Sequence, residues 1–320
     1  SFFILFITIC QLCFLVKFYK FTSFFFIVNI SIIKIKNIMI KAQLLKGFQD
    51  VYGNDAELKE FICNQIISEL KLFGYSPLET PVLEYAEVLM GNIGEDEKLI
   101  YNFKDHGDRH VAMKYDHTVS LARFVANNHM EIGLPFKRYQ LGPSFRADKP
   151  QRGRTRQFTQ LDLDILGTDE ILAEVETLNL IVKCYKKLGF KNIKIQINDR
   201  KLVDSIIENL KISEANQKDV FICLDKTDKI GKDKVVSELV KLGLDTSLKP
   251  ILVNYLSIKD DFINSISSLN NLFKTSIVGL EGVQDLNSIY NLISLKNLGK
   301  TKLVLDTSLA RGLSYYTGTI

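Results

Sequence analysis

The sequence predicts an α+β fold that is interrupted by a mainly helical domain. Residues 55–73 place apolar side chains at helical spacing, and Gly74 follows where a glycine commonly ends a helix. Two strand-like segments, residues 136–145 and 157–166, enclose a loop rich in arginine. From residue 200 to 298 the composition shifts to shorter amphipathic helices rich in Lys, Ser and Asn. The mixture of elements predicts the fold class, and the shift in composition predicts an inserted helical domain.

The remaining elements complete the predicted alternation of strands and helices. In chain order they are a strand at 75–83, two short strands at 99–103 and 110–115 around the turn residues DHGD, a helix at 118–127, a helix that Asp169 caps and Gly189 ends, a strand at 193–197 and a strand at 302–306. Pro77 and Pro81 restrict the first of these strands to an edge or an interface, because proline cannot donate a ladder hydrogen bond.

The charge of the chain is concentrated at its N-terminal end. The net charge is +4, and residues 1–38 account for all of it, with Lys17, Lys20, Lys34 and Lys36 and no acid. The other 282 residues balance 37 basic side chains against 37 acidic ones. A nucleic-acid contact would therefore rest on a local patch, because the body of the chain has no global field to supply it.

Residues 1–38 differ in kind from the rest of the chain. They hold nine of the 21 Phe and no Gly, Ala, Pro, Asp or Glu. A signal peptide is disfavoured because no basic region precedes the apolar run and no small-residue cleavage site follows it; an organelle-targeting peptide is disfavoured because the segment has no Arg. We favour an upstream in-frame extension outside the fold, with Met39 as the true start. A membrane anchor within residues 1–33 is the alternative.

Cysteine and histidine usage argues against a metal held by protein motifs. The five cysteines are an odd number without metal-ligand spacing, and the CxxC of Cys10 and Cys13 lies in an apolar run with no second ligand pair. None of the four histidines has HExxH spacing, which argues against a zinc hydrolase. We therefore expect free thiols in a reducing, cytoplasmic compartment.

The loop at 146–156 is the most informative local feature. Its five basic side chains are Arg146, Lys149, Arg152, Arg154 and Arg156. A two-stranded ribbon with such a tip suits a triphosphate, because guanidinium groups match phosphate oxygens in bidentate geometry and stay charged. From charge density alone, a solvated charged hairpin is an equally good interpretation.

Four sequence blocks, in this order along the chain, resemble the histidine-specific branch of the class II aminoacyl-tRNA synthetases. Residues 74–81 (GYSPLETP) are similar to motif 1, and residues 114–118 (KYDHT) to the family's R-x-D/E-x-T loop. Residues 135–160, from PFKRYQLGPSFR through RTRQFTQ, resemble motif 2. Residues 309–318 (LARGLSYYTG) resemble the histidine signature R-G-L-D-Y-Y. Any single block could arise by chance, whereas four in order form a specific pattern.

The resemblance implies a fold and a reaction. The fold is an antiparallel sheet flanked by helices, with residues 39–200 and 299–320 as the core and 201–298 as the insertion. The reaction is attack by the histidine carboxylate on the α-phosphate of ATP, supplied with Mg²⁺, followed by transfer of the acyl group to tRNA(His). The family's motif 1 contributes to a dimer interface, so a homodimer through the region of Pro81 is expected, and a membrane partner is not.

The resemblance also implies the site residues. Arg146 and Arg311 would act at the α-phosphate, and Arg154 and Arg156 would complete the ATP site, with Arg154 at the outer phosphates. The implied histidine-binding residues are Asp116, Thr118 and Gln160 at the α-ammonium, Asp164 and Tyr316 at the imidazole, and Tyr315 and Arg311 beside them. Three positions depart from the family: Lys114 replaces an Arg, Ser314 an Asp, and Asp164 a longer Glu.

The chain ends at Ile320, ahead of the family's motif 3 and its anticodon-binding domain. On this basis we expect weak or no activity from these 320 residues by themselves. The main alternative function is the related, non-catalytic regulatory subunit of ATP phosphoribosyltransferase, which binds histidine but need not keep the phosphate-binding arginines. All four implied arginines are present, which favours the synthetase. A membrane-anchored binding protein is a third interpretation, and it leaves the motifs unexplained.

Overall fold

The computed structural model describes residues 32–35, 38–90, 94–209, 214–224, 226–258, 261–293, 299–310 and 317–320. They belong to two compact units, residues 1–50 with 148–157, and residues 51–147 with 158–320. Residues 1–31, which include the apolar run of the N-terminal segment, lie outside the described residues. Within the described part, no helix has the length and apolarity needed to span a membrane.

The first unit contains a small hairpin and the tip of the basic loop. Strands β1 (Ile32–Ile35) and β2 (Ile38–Lys41) pair antiparallel. The loop tip is closed by an isolated bridge between Gln151 and Arg154. The Arg156 amide donates to the Gly47 carbonyl at 2.7 Å, and Gly47 has φ +87°. A Cβ at that position would lie 2.8 Å from the Arg156 side chain, so the close approach requires glycine.

The second unit has the following elements in chain order: α1 (Asn54–Leu72), β3 (Ser76–Pro77), β4 (Leu83–Tyr85), α2 (Ala86–Leu89), β5 (Asn102–Lys104), β6 (His110–Met113), α3 (Thr118–Asn128), β7 (Phe136–Phe145), β8 (Gln157–Leu166), α4 (Leu172–Lys187), β9 (Lys194–Ile197), α5 (Arg200–Asn209), α6 (Glu214–Leu224), α7 (Thr227–Ile230), α8 (Lys232–Lys241), α9 (Lys249–Leu256), α10 (Phe262–Leu272), α11 (Ile277–Leu292) and β10 (Lys302–Leu305). Short 3-10 helices occur at Gly94–Leu99 and Thr246–Leu248.

The sheet β3–β7–β8 has one apolar face, which the helices cover. Side chains alternate between the two faces of a strand, so odd-numbered residues of β7 and β8 share this side. Tyr139, Leu161, Leu163 and Ile165 pack there against Leu70 of α1 and Leu180 of α4, both fully buried. An ion pair of 2.7 Å between Lys187 and Glu69 also joins the two helices. Burial of this face fixes the register of the strands.

The even-numbered residues of β7 and β8 give the opposite face of the same sheet a polar character. Its polar members are Arg138, Gln140 and Ser144 of β7, and Gln160, Asp162 and Asp164 of β8. Arg138, Gln140 and Ser144 are almost completely buried. The candidate site is built on this face.

A second sheet, in the order β4–β6–β5, is antiparallel and leads directly into α3. Its apolar side packs with Ala86 and Leu89 of α2. Arg123 of α3 donates two hydrogen bonds to Glu84 Oε1 of β4, at 3.0 and 2.9 Å. These contacts hold α3 against the sheet.

Helices α5 to α11 lie in the chain between β9 and β10, two strands that pair in parallel. The helices form a large apolar core that includes the fully buried Tyr255 of α9. At Gly282 of α11, a Cβ would lie 3.1 Å from Lys201 Cβ and 3.2 Å from Asp199 Oδ1. A larger residue there would therefore press against the start of α5.

Most sequence-predicted elements are confirmed. The strands at 136–145 and 157–166 are found with those bounds, the first helix ends before Gly74 (φ +80°), and the hairpin around DHGD is antiparallel. The single strand predicted at 75–83 is wrong: it is two short strands, of which only β3 pairs with β7, in parallel. The Asp169 cap is also wrong, because Thr168 Oγ1 accepts from the Glu170 amide and the helix begins at Leu172.

Candidate active site

Arg146 lies just beyond the end of β7, and two aromatic rings hold its guanidinium. The guanidinium carbon is 4.2 Å from the centroid of Tyr115 and 5.0 Å from that of Phe158. Its Nε donates to the Tyr115 carbonyl at 3.2 Å. This arrangement fixes a permanent positive charge and uses its Nε. The two terminal nitrogens have no hydrogen-bond acceptor among the described residues and can donate to an anion.

The turn before α3 presents Asp116 and Thr118. Asp116 Oδ1 accepts from the Thr118 amide at 3.0 Å, the local bond that starts the helix. Its second carboxylate oxygen makes no hydrogen bond to any other residue that the structure describes. Asp116 is half-buried and Thr118 is exposed. A carboxylate and a hydroxyl at the edge of the polar face suit an ammonium group.

His117, between these two residues, is fully buried. Its Nε2 lies 3.3 Å from the Gln160 carbonyl. Burial lowers the pKa of His117, with Lys114 and Arg138 adding to the effect and Asp162 and the Gln160 contact opposing it. The neutral ring therefore donates from Nε2, which leaves Nδ1 as a buried acceptor with no partner in the described part of the chain. Sequence analysis gave His117 no role, although it connects the turn to β8.

Gln160 and Asp162 form a local pair on β8. The Gln160 amide nitrogen lies 3.0 and 3.1 Å from the two Asp162 oxygens and donates to them. Gln160 Oε1 is buried and makes no hydrogen bond to a described residue. The pair orients the Gln160 amide so that its oxygen is the atom free to accept from a ligand. Asp162 is a second residue that sequence analysis missed.

Asp164 is ion-paired with a buried arginine. Asp164 Oδ2 lies 2.6 Å from Arg138 Nη2, a contact that is an ion pair rather than a well-directed hydrogen bond. The Arg138 side chain is 1% exposed and that of Asp164 is 32% exposed. Burial raises the pKa of Asp164, and Arg138 opposes the rise. Nothing in the sequence indicated that Arg138 would be the partner of Asp164.

Lys114 is buried beneath this face. Its Nζ donates to the Thr80 carbonyl at 3.3 Å, while Gln140 donates to the Thr80 hydroxyl at 2.8 Å. Burial lowers the pKa of Lys114, and Glu79 and Glu84 oppose the shift. Lys114 therefore connects the end of β6 to Thr80, the residue that also binds Gln140 of β7. The family's R-x-D/E-x-T pattern has an Arg at this position.

Arg154 and Arg156 lie in the first unit, at the tip of the basic loop. The Arg156 guanidinium donates to two backbone carbonyls, of Asp148 at 3.0 Å and of Lys46 at 3.3 Å. Arg154 is 58% exposed, with Nη1 3.6 Å from Asp148 Oδ1. Arg156 thus supports the loop itself, while Arg154 keeps a largely exposed guanidinium.

The signature residues Arg311, Tyr315 and Tyr316 lie outside the described residues. The chain on both sides of residues 311–316 is anchored to Asn198. The Asn198 side chain donates to the Leu309 carbonyl at 2.8 Å. Its backbone exchanges two hydrogen bonds with Ile320, at 3.1 and 2.9 Å. Asn198 follows the end of β9, and sequence analysis gave no sign of this role.

A second anchor joins the same chain to the helices. Asp306 accepts from Gln196 at 2.6 Å and from the Ser308 amide at 3.0 Å. The Thr307 hydroxyl donates to the carbonyl of Tyr255 at 2.7 Å, and the Asn198 amide lies 3.3 Å from the Tyr255 hydroxyl. The helical segment therefore supports the residues that lead into the signature.

The structure thus brings together five of the predicted site residues. Arg146 contacts Tyr115, and the residues that follow Tyr115 connect through His117 to β8, which carries Gln160 and Asp164. This geometry combines a fixed cation with a polar face of donors and acceptors, an arrangement suited to a small zwitterion next to a phosphate.

Comparison with known proteins shows the family of the chain. The family model described as "Histidyl-tRNA synthetase" matches residues 47–320. The histidine–tRNA ligase of Helicobacter hepaticus is 40% identical over 293 residues, which cover 88% of this chain and 65% of that protein. The histidine–tRNA ligase of Treponema denticola is 36% identical over 288 residues, covering 88% of this chain and 63% of the relative.

Two solved structures are similar as folds. The histidyl-tRNA synthetase from Nostoc sp. PCC 7120 has a TM-score of 0.76 at 29% identity, over 88% of this chain and 64% of that one. An "ATP phosphoribosyltransferase regulatory subunit/histidyl-tRNA synthetase" from Bacillus halodurans has a TM-score of 0.74 at 23% identity, over 85% of this chain and 70% of that one.

The chain has the fold of the class II aminoacyl-tRNA synthetases, with both helices and sheets. The chain belongs to the histidyl-tRNA synthetase family. It spans about 65% of the length of the curated relative from Helicobacter hepaticus.

Proposed function

We propose that this chain carries the amino-acid activation site of a histidine–tRNA ligase, which joins histidine to ATP and passes the activated histidine to tRNA(His). The observation that carries the proposal is Arg146, held between two aromatic rings beside a polar sheet face. Family membership supports the reaction class, and the geometry supports the roles given to those site residues that the structure describes. The full reaction, its substrates and its partners are inferences from the longer relatives.

In the first step the histidine carboxylate attacks the α-phosphorus of ATP, and pyrophosphate leaves. Negative charge gathers on the α-phosphate oxygens in the transition state. A guanidinium already fixed by Tyr115 and Phe158 stabilises that charge without moving, which lowers the barrier. Arg311 is the second cation proposed at this phosphate, and the exposed Arg154 is proposed at the outer phosphates, with Arg156 supporting the loop.

Histidine would bind along the polar face. Asp116, Thr118 and the oxygen of Gln160 are proposed acceptors for the α-ammonium, because each offers oxygen atoms at or beside the turn before α3. Asp164 is proposed to accept from the imidazole, with Tyr315 and Tyr316 beside it. The ion pair with Arg138 fixes the orientation of the Asp164 carboxylate, so that it is already placed to accept from the imidazole.

Mg²⁺ is proposed to accompany ATP, neutralising charge on its phosphates. Among the described residues, no group of three or more His, Cys, Asp or Glu side chains could hold a metal ion. The proposal also includes a cytoplasmic location, a homodimer through the region of Pro81, and a core of residues 39–200 and 299–320 around an insertion at 201–298.

The regulatory subunit of ATP phosphoribosyltransferase remains the second candidate, because the Bacillus halodurans structure carries that description. At 23% identity that likeness supports the fold alone. A subunit that only senses histidine has no need of a stacked arginine for a phosphate, so Arg146 favours the ligase.

The test is binding of a non-hydrolysable histidyl-adenylate analogue by calorimetry. We expect Arg146→Ala to weaken binding of the analogue by about 100-fold, since a charge-assisted contact to phosphate contributes roughly 3 kcal/mol. Binding of histidine alone should change little. Arg109→Ala removes an exposed arginine of the β5–β6 hairpin and serves as the control. Equal binding of the analogue by the native chain and Arg146→Ala would contradict the proposal.

A further inference from the structure

Two segments of the second unit contain lysine and no acid. Residues 177–198 include five lysines, and residues 286–305 include three. The parallel pairing of β9 with β10 brings the two segments together. Because the body of the chain has equal numbers of basic and acidic residues, this concentration of one sign is a local feature.

The pairing places two of these lysines opposite each other. Lys194 of β9 and Lys302 of β10 are register partners, and both are exposed. Like charges directly opposite each other repel and weaken a strand pair. No salt bridge within the described residues neutralises either one. The two like charges raise the free energy of the folded chain, and a bound anion would offset their repulsion.

An open cavity of about 370 Å³ lies at the end of α4, and its lining includes residues just before β9 and β10 in the chain. It is lined by Lys186, Gly189, Phe190, Lys191 and Lys300. Gly189 has φ +92°, a conformation that lets the chain turn sharply after the helix. The ring of Phe190 contacts that of Tyr185 edge-on at 5.5 Å, and both rings are about half exposed. Aromatic faces among lysines are typical of surfaces that bind nucleic acid.

We propose that this surface, the lysine patch (Lys186, Lys191, Lys194, Lys300 and Lys302), binds the phosphate backbone of tRNA. The proposal rests on the proposed function, because a ligase must hold a polyanion much larger than its activation site. The balanced charge of the body supplies no general attraction, so a local patch has to do so. A concave surface fits a protruding backbone better than a flat bilayer, which favours RNA over an anionic membrane.

The test compares two fourfold variants of the whole chain that remove the same charge. The patch variant is Lys191→Ala, Lys194→Ala, Lys300→Ala and Lys302→Ala. The scattered variant changes four exposed lysines elsewhere: Lys59→Ala, Lys98→Ala, Lys241→Ala and Lys274→Ala. Binding of a tRNA(His) transcript is measured by fluorescence anisotropy at several salt concentrations, together with binding of phosphatidylglycerol vesicles and of the histidyl-adenylate analogue.

For four lost phosphate contacts, the slope of log affinity against log salt should fall by about 3 in the patch variant. Affinity at about 0.1 M salt should fall at least about tenfold, while the scattered variant changes the slope by less than about 1. The patch variant should bind the analogue as the native chain does. The native chain could bind tRNA through the patch and yet fail to bind the histidyl-adenylate analogue. In that case the proposed function fails and the patch proposal stands.

Three outcomes overturn the patch proposal: equal losses in the two variants, no binding of tRNA by the native chain, or tighter binding of vesicles than of tRNA. In each case retained binding of the analogue would leave the proposed activation site intact. Loss of analogue binding in the patch variant would also overturn the patch proposal. The loss of tRNA binding would then come from a disturbed fold and not from the removed charges.

Discussion

The two faces of the sheet β3–β7–β8 differ in polarity although the same strands form both. On one face Tyr139, Leu161 and Leu163 pack against Leu70 and Leu180 of the covering helices. On the other face, buried polar atoms lack a hydrogen-bond partner among the described residues: His117 Nδ1, Arg138 Nε and Nη1, Gln140 Oε1, Ser144 Oγ and Gln160 Oε1. The first face lowers the free energy of the folded chain, and the second raises it.

The difference shows what each face is for. A buried polar atom without a partner costs about 1–3 kcal/mol, so a face with several of them is far from the arrangement that stability alone would favour. A ligand with an ammonium, a carboxylate and an imidazole could supply donors and acceptors to such atoms. We attribute the polar character of this face to the proposed binding site, and the apolar face provides the stability that offsets its cost.

The largest effect should come from a cavity in the apolar face. Leu180→Ala removes a fully buried side chain of α4. We expect the free energy of unfolding to fall by about 2–5 kcal/mol, from lost burial and the remaining cavity. Urea denaturation measures this change. Binding of the histidyl-adenylate analogue by the folded variant should not change, because Leu180 lies behind the sheet.

Leu172→Ala, at the exposed start of the same helix, is the matched control. It should alter the free energy of unfolding by less than about 0.5 kcal/mol. If Leu180→Ala weakened binding of the analogue as much as it weakened the fold, the two faces would not be separable in the way proposed.

A smaller effect is expected from the buried pair on the polar face. Arg138→Leu leaves Asp164 without its cation, whereas Arg138→Leu combined with Asp164→Asn removes both charges. We expect the double variant to be more stable than the sum of the single changes by about 1–3 kcal/mol, measured as a double-mutant cycle in urea. Binding of the analogue should be lost in Arg138→Leu, in Asp164→Asn and in the double variant, since each removes or misplaces the Asp164 carboxylate.

The exposed pair Lys104–Asp108, at 2.9 Å, gives the comparison. Its coupling energy should stay below about 1 kcal/mol, because both side chains are well solvated. A coupling no larger between Arg138 and Asp164 would show that burial adds nothing to this pair, and the role given to Arg138 would be wrong.

The sequence predicts the polar face better than it predicts the contacts on it. Alternation in FKRYQLGPSF and QFTQLDLDIL is visible without coordinates and predicts two strands with one polar side. The pairing of Arg138 with Asp164 depends on the register between those strands, which alternation does not specify. The same limit explains Arg156, whose partner Lys46 is 110 positions away in sequence.

Neither the family resemblance nor the residue pattern indicated a role for His117, in the turn before α3, and the two missed it for different reasons. The motif match selected Asp116 and Thr118 and passed over His117, because the family's pattern leaves that position open. A histidine next to an apolar strand gives no signal of its own, since a buried imidazole looks the same in sequence as an exposed one. Its contact with the Gln160 carbonyl needs two segments that only the fold brings together.

The smallest effect, and the one most specific to the polar face, is the pH dependence that His117 should confer. Burial holds the folded-state pKa of His117 below its usual value of 6.5, so the unfolded chain takes up this proton first as the pH falls. The stability linked to the neutral ring is therefore complete above pH 6.5 and is lost as the pH drops toward the folded-state pKa. The loss is at most about 1.4 kcal/mol per pH unit.

Urea denaturation between pH 7.5 and pH 5 measures this slope. His117→Asn keeps a donor for the Gln160 carbonyl and cannot titrate, so its stability should change less over that range than that of the native chain. His106→Asn, at an exposed position of the β5–β6 hairpin, should follow the native chain. If His117→Asn also followed it, the imidazole would not be buried in its neutral form, and Nδ1 could not serve the polar face as an acceptor.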